Sequence, residues 1–352
     1  MAFTLIGSFG IAVGCSFLSI TKRKIGINRK LKLIKQCKNF RICNTNNLSI
    51  KNNKTEKEKF DFVNDKDIEI FAKKLKENVL EEAYDNFMVN LSKIKKVDNK
   101  FIKAFFRKMD IEAFVYPKDN GEIYVNFGSN IDKNSKTHEL IHLAVTRYDE
   151  ENKTYYTGFN HQGIGKAINE GYTCLLDERY FNDEDNVEEN YMYEFLKFIS
   201  YLLEIFVGQD KMEKLYCNSD LKGLLTELEK YIGFNRSLEL VSKLDDLLEN
   251  RDVVIKRNSI SNTIFHNFID SENEKLWYKL LNDIIEILLD IKASDLKKKL
   301  EDNTTTRDYA SNSMHQYWAN IRNELNYTIG FLLPDDFYNA DIYLDNLEKV
   351  FR

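Results

Sequence analysis

The sequence specifies an α+β protein that is mostly α: a small β-hairpin sheet, an HExxH helix, a glutamate-bearing helix and a helical C-terminal half. Three observations carry this. Only two prolines, Pro117 and Pro334, and 14 glycines punctuate 352 residues, too few for a turn-rich all-β sandwich. One short stretch alternates at period two beside Asn120-Gly121, a strong hairpin signal. From Val187 onward apolar residues recur at helical spacing almost without a break. A hydrophobic share of 43% with 13% aromatics excludes wholesale disorder. Five cysteines without a CxxC pair exclude a cysteine zinc ribbon and argue against a disulfide-stapled secreted fold.

Residues 1–20 carry no charged side chain and match the roughly 20 residues a helix needs to cross hydrocarbon. A secretory signal would place basic residues before that run, whereas Thr21-Lys22-Arg23-Lys24 follows it. The expectation is a single-pass N-terminal membrane anchor with the body in the cytoplasm, as basic flanks favour. A cleaved leader and a stretch that never inserts are the competing expectations. Residues 21–60 hold 13 Lys and Arg against 2 Asp and Glu, a basic flexible tether suited to anionic lipid heads. The rest of the chain is acidic enough to bring the net charge to −5, which speaks against a nucleic-acid partner.

Residues 61–185 are expected to form an α+β zinc-binding catalytic unit, and 186–352 a helical subdomain. Phe71, Leu75, Val79 and Leu80 predict one helix over 67–83, and Asp98 is placed to cap a second over 98–108. Residues 111–116 are β-prone. In 121–128 Ile123, Val125 and Phe127 share one face, so a hairpin precedes a helix starting near Asn134 or Ser135. Further helices are expected over 189–207 and over 220–232, the latter ending at Gly233. Ser271-x-x-Glu274 is a capping box for a helix whose stripe is Leu276, Leu280, Ile284, Ile287, Leu288 and Ile291.

His138-Glu139-Leu140-Ile141-His142 is an HExxH motif inside a predicted helix. Residues four apart share a helical face, so both imidazoles can hold one Zn²⁺. Glu139 then stands beside the water that such an ion activates and can take its proton. The competing expectation is two surface histidines. The best third ligand is Glu170, within Ile168-Asn169-Glu170-Gly171-Tyr172-Thr173, on a second helix running to about residue 181. An extended HExxHxxGxxH is absent, because Leu143 and Ala144 follow His142, and His161 lies in a loop segment.

HExxH followed at a distance by an Asn-Glu pair resembles the gluzincin metallopeptidases. The stretch from Tyr156-Thr157-Gly158-Phe159 through Asn169-Glu170-Gly171-Tyr172-Thr173 to Arg179-Tyr180-Phe181 is similar to uncharacterised bacterial membrane-anchored gluzincin-like proteins with an NEG(Y/L)TE signature. The likeness spans residues 111–181. It implies one zinc per chain on His138, His142 and Glu170, Glu139 as general base, and a peptide or protein substrate. Many gluzincins carry an acidic residue four positions after the ligand glutamate, where it orients a zinc-binding histidine. Here that position is Cys174, with Asp177 as a substitute on a similar face.

Amide hydrolysis also needs a donor for the developing oxyanion. His161, Tyr155 and Tyr156 between the two helices are candidates, with His315 and Tyr317 downstream. The strand over 121–128 is placed either to bind an extended peptide along its edge or merely to complete a sheet. Two functions follow from different classes. One is a zinc-dependent metallopeptidase. The other is a non-catalytic membrane-anchored scaffold that retains a structural zinc site.

Overall fold

In a computed structural model the described residues are 66–79, 81–96, 113–117, 122–127, 133–181, 191–250, 271–329 and 341–351. The anchor, the tether and the helix expected over 98–108 lie outside them. No described helix is long and apolar enough to cross a membrane. Lys57–Arg352 make up one compact unit of the chain. The fold is α+β and mostly α, as the sequence predicts.

Helix α1 (Lys66–Asn78) buries Ile68, Phe71 and Leu75, an i, i+3, i+7 stripe. The single helix expected over 67–83 is two. The chain bends at Val79, and α2 (Glu81–Leu91) restarts with Glu81 and Glu82 in its first turn, where a helix's positive end favours acidic groups. Neither proline nor glycine marks that break. Phe71 joins α1 to its neighbours, its ring 4.7 Å from that of Phe181 and 5.1 Å from that of Phe87.

Strands β1 (Ile94–Lys96), β2 (Ala113–Pro117) and β3 (Ile123–Phe127) form one sheet in the order β1-β3-β2. β2 and β3 pair antiparallel with Val115 opposite Val125, the pairing a hairpin requires, while Asn120-Gly121 lies outside the described residues. Ile123 and Val125 are fully buried, on the shared face that alternation predicts. One expectation fails. β3 also pairs in parallel with β1, so both its edges are bonded, and among the described strands β2 is an outer strand of the sheet. The β1 pairing is non-local, and no local pattern announces it.

Helix α3 (Lys133–Val145) runs directly into β4 (Thr146–Asp149), which pairs antiparallel with β5 (Thr154–Thr157). Helix α4 (Lys166–Tyr180) follows, and the C-terminal half is α5 (Tyr191–Val207), α6 (Gln209–Cys217), α7 (Leu221–Ile232), α8 (Phe234–Glu249), α9 (Ser271–Glu301), α10 (Arg307–Thr328) and α11 (Asp341–Phe351). Asp220 caps α7, its Oδ1 accepting from the Gly223 N–H at 2.7 Å. In α9, Ile284, Ile287, Leu288 and Ile291 are fully buried as expected, but Leu276 is 46% exposed. The larger indole of Trp277 takes the inward position, one residue or about 100° further round the helix. Helices α4 and α5 approach closely at Gly171, where a Cβ would lie 2.2 Å from the Leu196 carbonyl oxygen. Any side chain at 171 pushes the two helices apart.

Candidate metal centre

The last carbonyls of a helix have no partner within it and must find one elsewhere when buried. In α3, which carries the HExxH motif, all four are satisfied. The His142 carbonyl accepts from Thr146 Oγ1 at 2.7 Å and the Leu143 carbonyl from Asn90 Nδ2 at 2.9 Å. The Ala144 carbonyl accepts from Asn86 Nδ2 at 2.7 Å. The Val145 carbonyl accepts from Ser219 Oγ at 2.6 Å and from the Gly158 N–H at 3.2 Å. Asn86 and Asn90 lie one turn apart on α2, so that helix serves as a side-chain cap for α3. At its other end α3 is tied to α1 by Lys136, 2.9 Å from Asp67.

Helix α4 is fixed at its start by a residue from the distant α8. Asp245 accepts from the Gly165 N–H at 2.7 Å and the Ala167 N–H at 2.9 Å, supplying the cap that Gly165 has no side chain to provide. Gly165 has φ +79°, and a Cβ there would lie 2.3 Å from the Phe159 carbonyl oxygen. Burial pushes the Asp245 carboxyl up to about 7 against the pull of those two N–H groups. At its end α4 is held by Arg179, which reaches Glu204 at 2.5 Å on α5 and Glu213 at 2.8 Å on α6. Tyr172 and Tyr180 donate to the same two carboxylates, each at 2.7 Å.

So positioned, the two helices bring His138, His142 and Glu170 together. The two imidazole Nε2 atoms are 3.1 Å apart, and Glu170 Oε2 is 3.4 Å from His138 Nε2 and 3.5 Å from His142 Nε2. A tetrahedral ion with bonds of about 2.0–2.1 Å spaces its ligands about 3.3 Å apart, so this near-equilateral triangle fits three ligands of one ion. The three side chains are 10%, 9% and 14% exposed, nearly buried but open to a small solute. Among the described residues this is the one group of three His, Cys, Asp or Glu able to hold a metal. Despite burial, the two imidazoles hold the Glu170 carboxyl well below the usual range. Burial works against the proton of His138, but Cys174 and Glu170 outweigh it and raise the ring well above its ordinary value. A cation inside the triangle competes for the place of those protons.

Each imidazole has a different backing. Thr173 Oγ1 lies 3.4 Å from His142 Nδ1, donates to the Asn169 carbonyl at 2.7 Å, and is 2.5 Å from Tyr216 Oη. Its one proton is committed to that carbonyl, so it acts as acceptor toward Tyr216 and can receive a proton carried on the ring's Nδ1, the tautomer in which Nε2 is open to a metal. Asn169 accepts from the Phe159 N–H at 3.1 Å, which turns its amide nitrogen, a donor, to 3.3 Å from the same Nδ1, so two α4 side chains compete for that ring atom. Behind His138, Cys174 Sγ is 3.7 Å from Nδ1, and the Tyr193 ring lies parallel to the imidazole with centroids 6.0 Å apart. The partner at this Nδ1 is therefore Cys174, not Asp177.

Glu139 lies beside the triangle, close enough that both imidazoles and Glu170 act on its charge. Its Oε2 accepts from the Val115 N–H of β2 at 2.9 Å. Burial raises its carboxyl above the usual value, with His142 and His138 pulling it back. The remaining candidates are elsewhere. His161 donates through Nε2 to the Ser219 carbonyl at 2.6 Å, and burial pushes the ring down to about 4. Tyr156 stacks on His161 with centroids 4.3 Å apart and bonds to Asp149. His161 ties the segment after β5 to the turn before α7, and Tyr156 packs on it from the hairpin. Tyr155 is buried against Tyr148, His315 is on an exposed face of α10, and Tyr317 is buried beside Phe206.

Val115, Asn169, Thr173, Tyr193 and Tyr216 are the site neighbours that sequence reasoning missed. For two of them a signal existed. Asn169 and Thr173 are four apart, as are Glu170 and Cys174, and the two pairs face His142 and His138, themselves four apart on α3. Comparison with family models, with curated proteins and with solved structures finds no match to the chain.

Proposed function

We propose that the chain is a zinc-dependent metallopeptidase of the gluzincin kind, taking one zinc ion on His138, His142 and Glu170. The observation that carries this is the ligand triangle with edges of 3.1, 3.4 and 3.5 Å next to the half-buried Glu139 carboxylate. Two imidazoles and one carboxylate form a donor set that zinc takes in catalytic sites, with a fourth position open. When bound there, zinc supplies a Lewis acid that lowers the pKa of a water molecule and polarises a carbonyl.

The chain's own residues do the rest. The Val115 N–H fixes one oxygen of Glu139, which leaves the other to take the proton of the attacking water and return it to the leaving amine. Of the described strands β2 pairs on one side only, and its outward carbonyls are placed to accept from an extended peptide while the Val115 N–H stays on Glu139. Thr173 and Cys174 hold the two rings from behind. The apolar residues 1–20 and the basic segment after them add membrane anchorage with a cytoplasmic body to the proposal; protease access in intact cells tests that side.

The competing function, a scaffold with a structural zinc site, draws on the thiol behind His138 where a carboxylate would make the ring a stronger ligand. Metal analysis and a peptide-library assay on wild type and Glu139→Gln separate the two. About one zinc per chain is expected in both proteins. Cleavage is expected to fall by about 10²–10⁴-fold in the variant, as loss of a general base does. Equal cleavage by the variant rejects the mechanism, and zinc uptake without cleavage by wild type favours the scaffold.

A further inference from the structure

We propose that Cys174 is the positioning residue of His138, its sulfur accepting the Nδ1–H and so turning Nε2 toward the metal. This rests on the metal site proposed above. A ring bound through Nε2 carries its proton on Nδ1, and in most metal sites an oxygen receives it. Here the atom in place is Cys174 Sγ, 3.7 Å away and on a residue only 6% exposed. The sulfur sits at the ring nitrogen on the far side from the triangle, so it backs the imidazole and does not join the ligand set.

Helix register supports the assignment. Cys174 follows Glu170 by four residues, so one face of α4 presents both a ligand and the backing of another ligand. Thr173 does the same for His142 from the neighbouring row. The face of His138 is covered by Tyr193, whose plane is within 12° of the imidazole's. Stacking of that kind sets the plane of a ring but does not choose between its two nitrogens. An acceptor lying against one nitrogen makes that choice, and the sulfur is that acceptor.

The test uses the full chain. Zinc affinity is measured by competition with a chromogenic chelator for wild type, Cys174→Ala and Cys174→Ser, alongside the unfolding midpoints of the metal-free proteins. Cys174→Ala is expected to weaken zinc binding by about 10–100-fold, while Cys174→Ser, which keeps an acceptor, recovers most of it. In the zinc-loaded protein the His138 Nδ1–H is expected to exchange slowly with solvent in wild type and Cys174→Ser and fast in Cys174→Ala. A role in packing alone would move the unfolding midpoints and leave that proton unaffected.

Equal zinc affinity and equal proton protection in Cys174→Ala overturn the inference and leave the metal site standing. Failure of wild type to bind zinc overturns both. A sulfur-to-cobalt charge-transfer band in the cobalt-loaded wild type, absent from Cys174→Ala, places the sulfur on the metal and also overturns it.

Discussion

His138 and His142 stand four residues apart on one helix, yet the protein holds them in unlike ways. His142 belongs to a polar cluster: Asn169 Nδ2 at 3.3 Å and Thr173 Oγ1 at 3.4 Å from its Nδ1, then Tyr216 at 2.5 Å from Thr173, which carries the contact into α6. His138 leans on a single sulfur and on the face of Tyr193. The first ring is therefore tied through hydroxyl groups to the packing of the helical half, whereas the second rests on one sulfur of α4 and one ring face of α5. Perturbing one side should cost fold stability and metal affinity together. Perturbing the other breaks no such hydroxyl relay and should weigh more on metal affinity than on the fold.

The largest effect expected from breaking this contrast is at Thr173. Thr173→Val removes the acceptor of both His142 and Tyr216 and leaves a buried phenol unpaired, which costs about 1–3 kcal/mol. Chemical denaturation of the metal-free protein measures it, and zinc affinity is expected to fall as well. Unchanged stability would mean that His142 is not coupled to α6 through this hydroxyl.

A second experiment acts on both rings at once. The Asp245 carboxyl has a folded-state pKa of about 7, whereas an unfolded aspartate loses its proton near about 4. Between those values the native chain binds the extra proton, so this group's contribution to stability falls as pH rises through that window, by at most about 1.4 kcal/mol per pH unit. Asp245→Asn cannot titrate. The variant is therefore expected to gain on wild type as pH rises from about 5 to about 8, read from paired unfolding curves. A constant difference across that range would show that the carboxyl does not titrate there. Because Asp245 sets the first turn of α4, its effect on metal affinity should not distinguish a His138 variant from a His142 variant.

The smallest effect is expected at Tyr193. Tyr193→Leu keeps apolar cover over His138 and removes the stacked ring, worth about 0.5–1.5 kcal/mol for an aromatic pair. That corresponds to a loss of about ten-fold or less in zinc affinity. A loss as large as that of Cys174→Ala would show that ring stacking, not the sulfur, holds His138.

The centre of the site was legible because its spacing is local. His138 and His142 share a face by helix geometry alone, and Asn169, Glu170, Thr173 and Cys174 form two rows by the same rule. The hairpin was legible through Asn120-Gly121 and the alternation of Ile123 and Val125. What escaped was non-local or short. β1 has three residues and pairs in parallel with a strand nearly thirty residues on. β4 and β5, with sequences TRYD and TYYT, follow α3 without a breaker residue, so the segment reads as a loop. His161 and Tyr156 looked available as donors because a sequence does not show that the Ser219 carbonyl and the Asp149 carboxylate already engage them.

The cap that Asp245 places on α4 has a consequence for synthesis. Every proposed ligand has been translated once the ribosome passes Glu170, but the group that seals the start of that helix emerges only with α8. Ser219, which closes the far end of the HExxH helix, also comes late. A nascent chain long enough to contain all three proposed ligands thus still lacks the contacts that fix the ends of both helices carrying them.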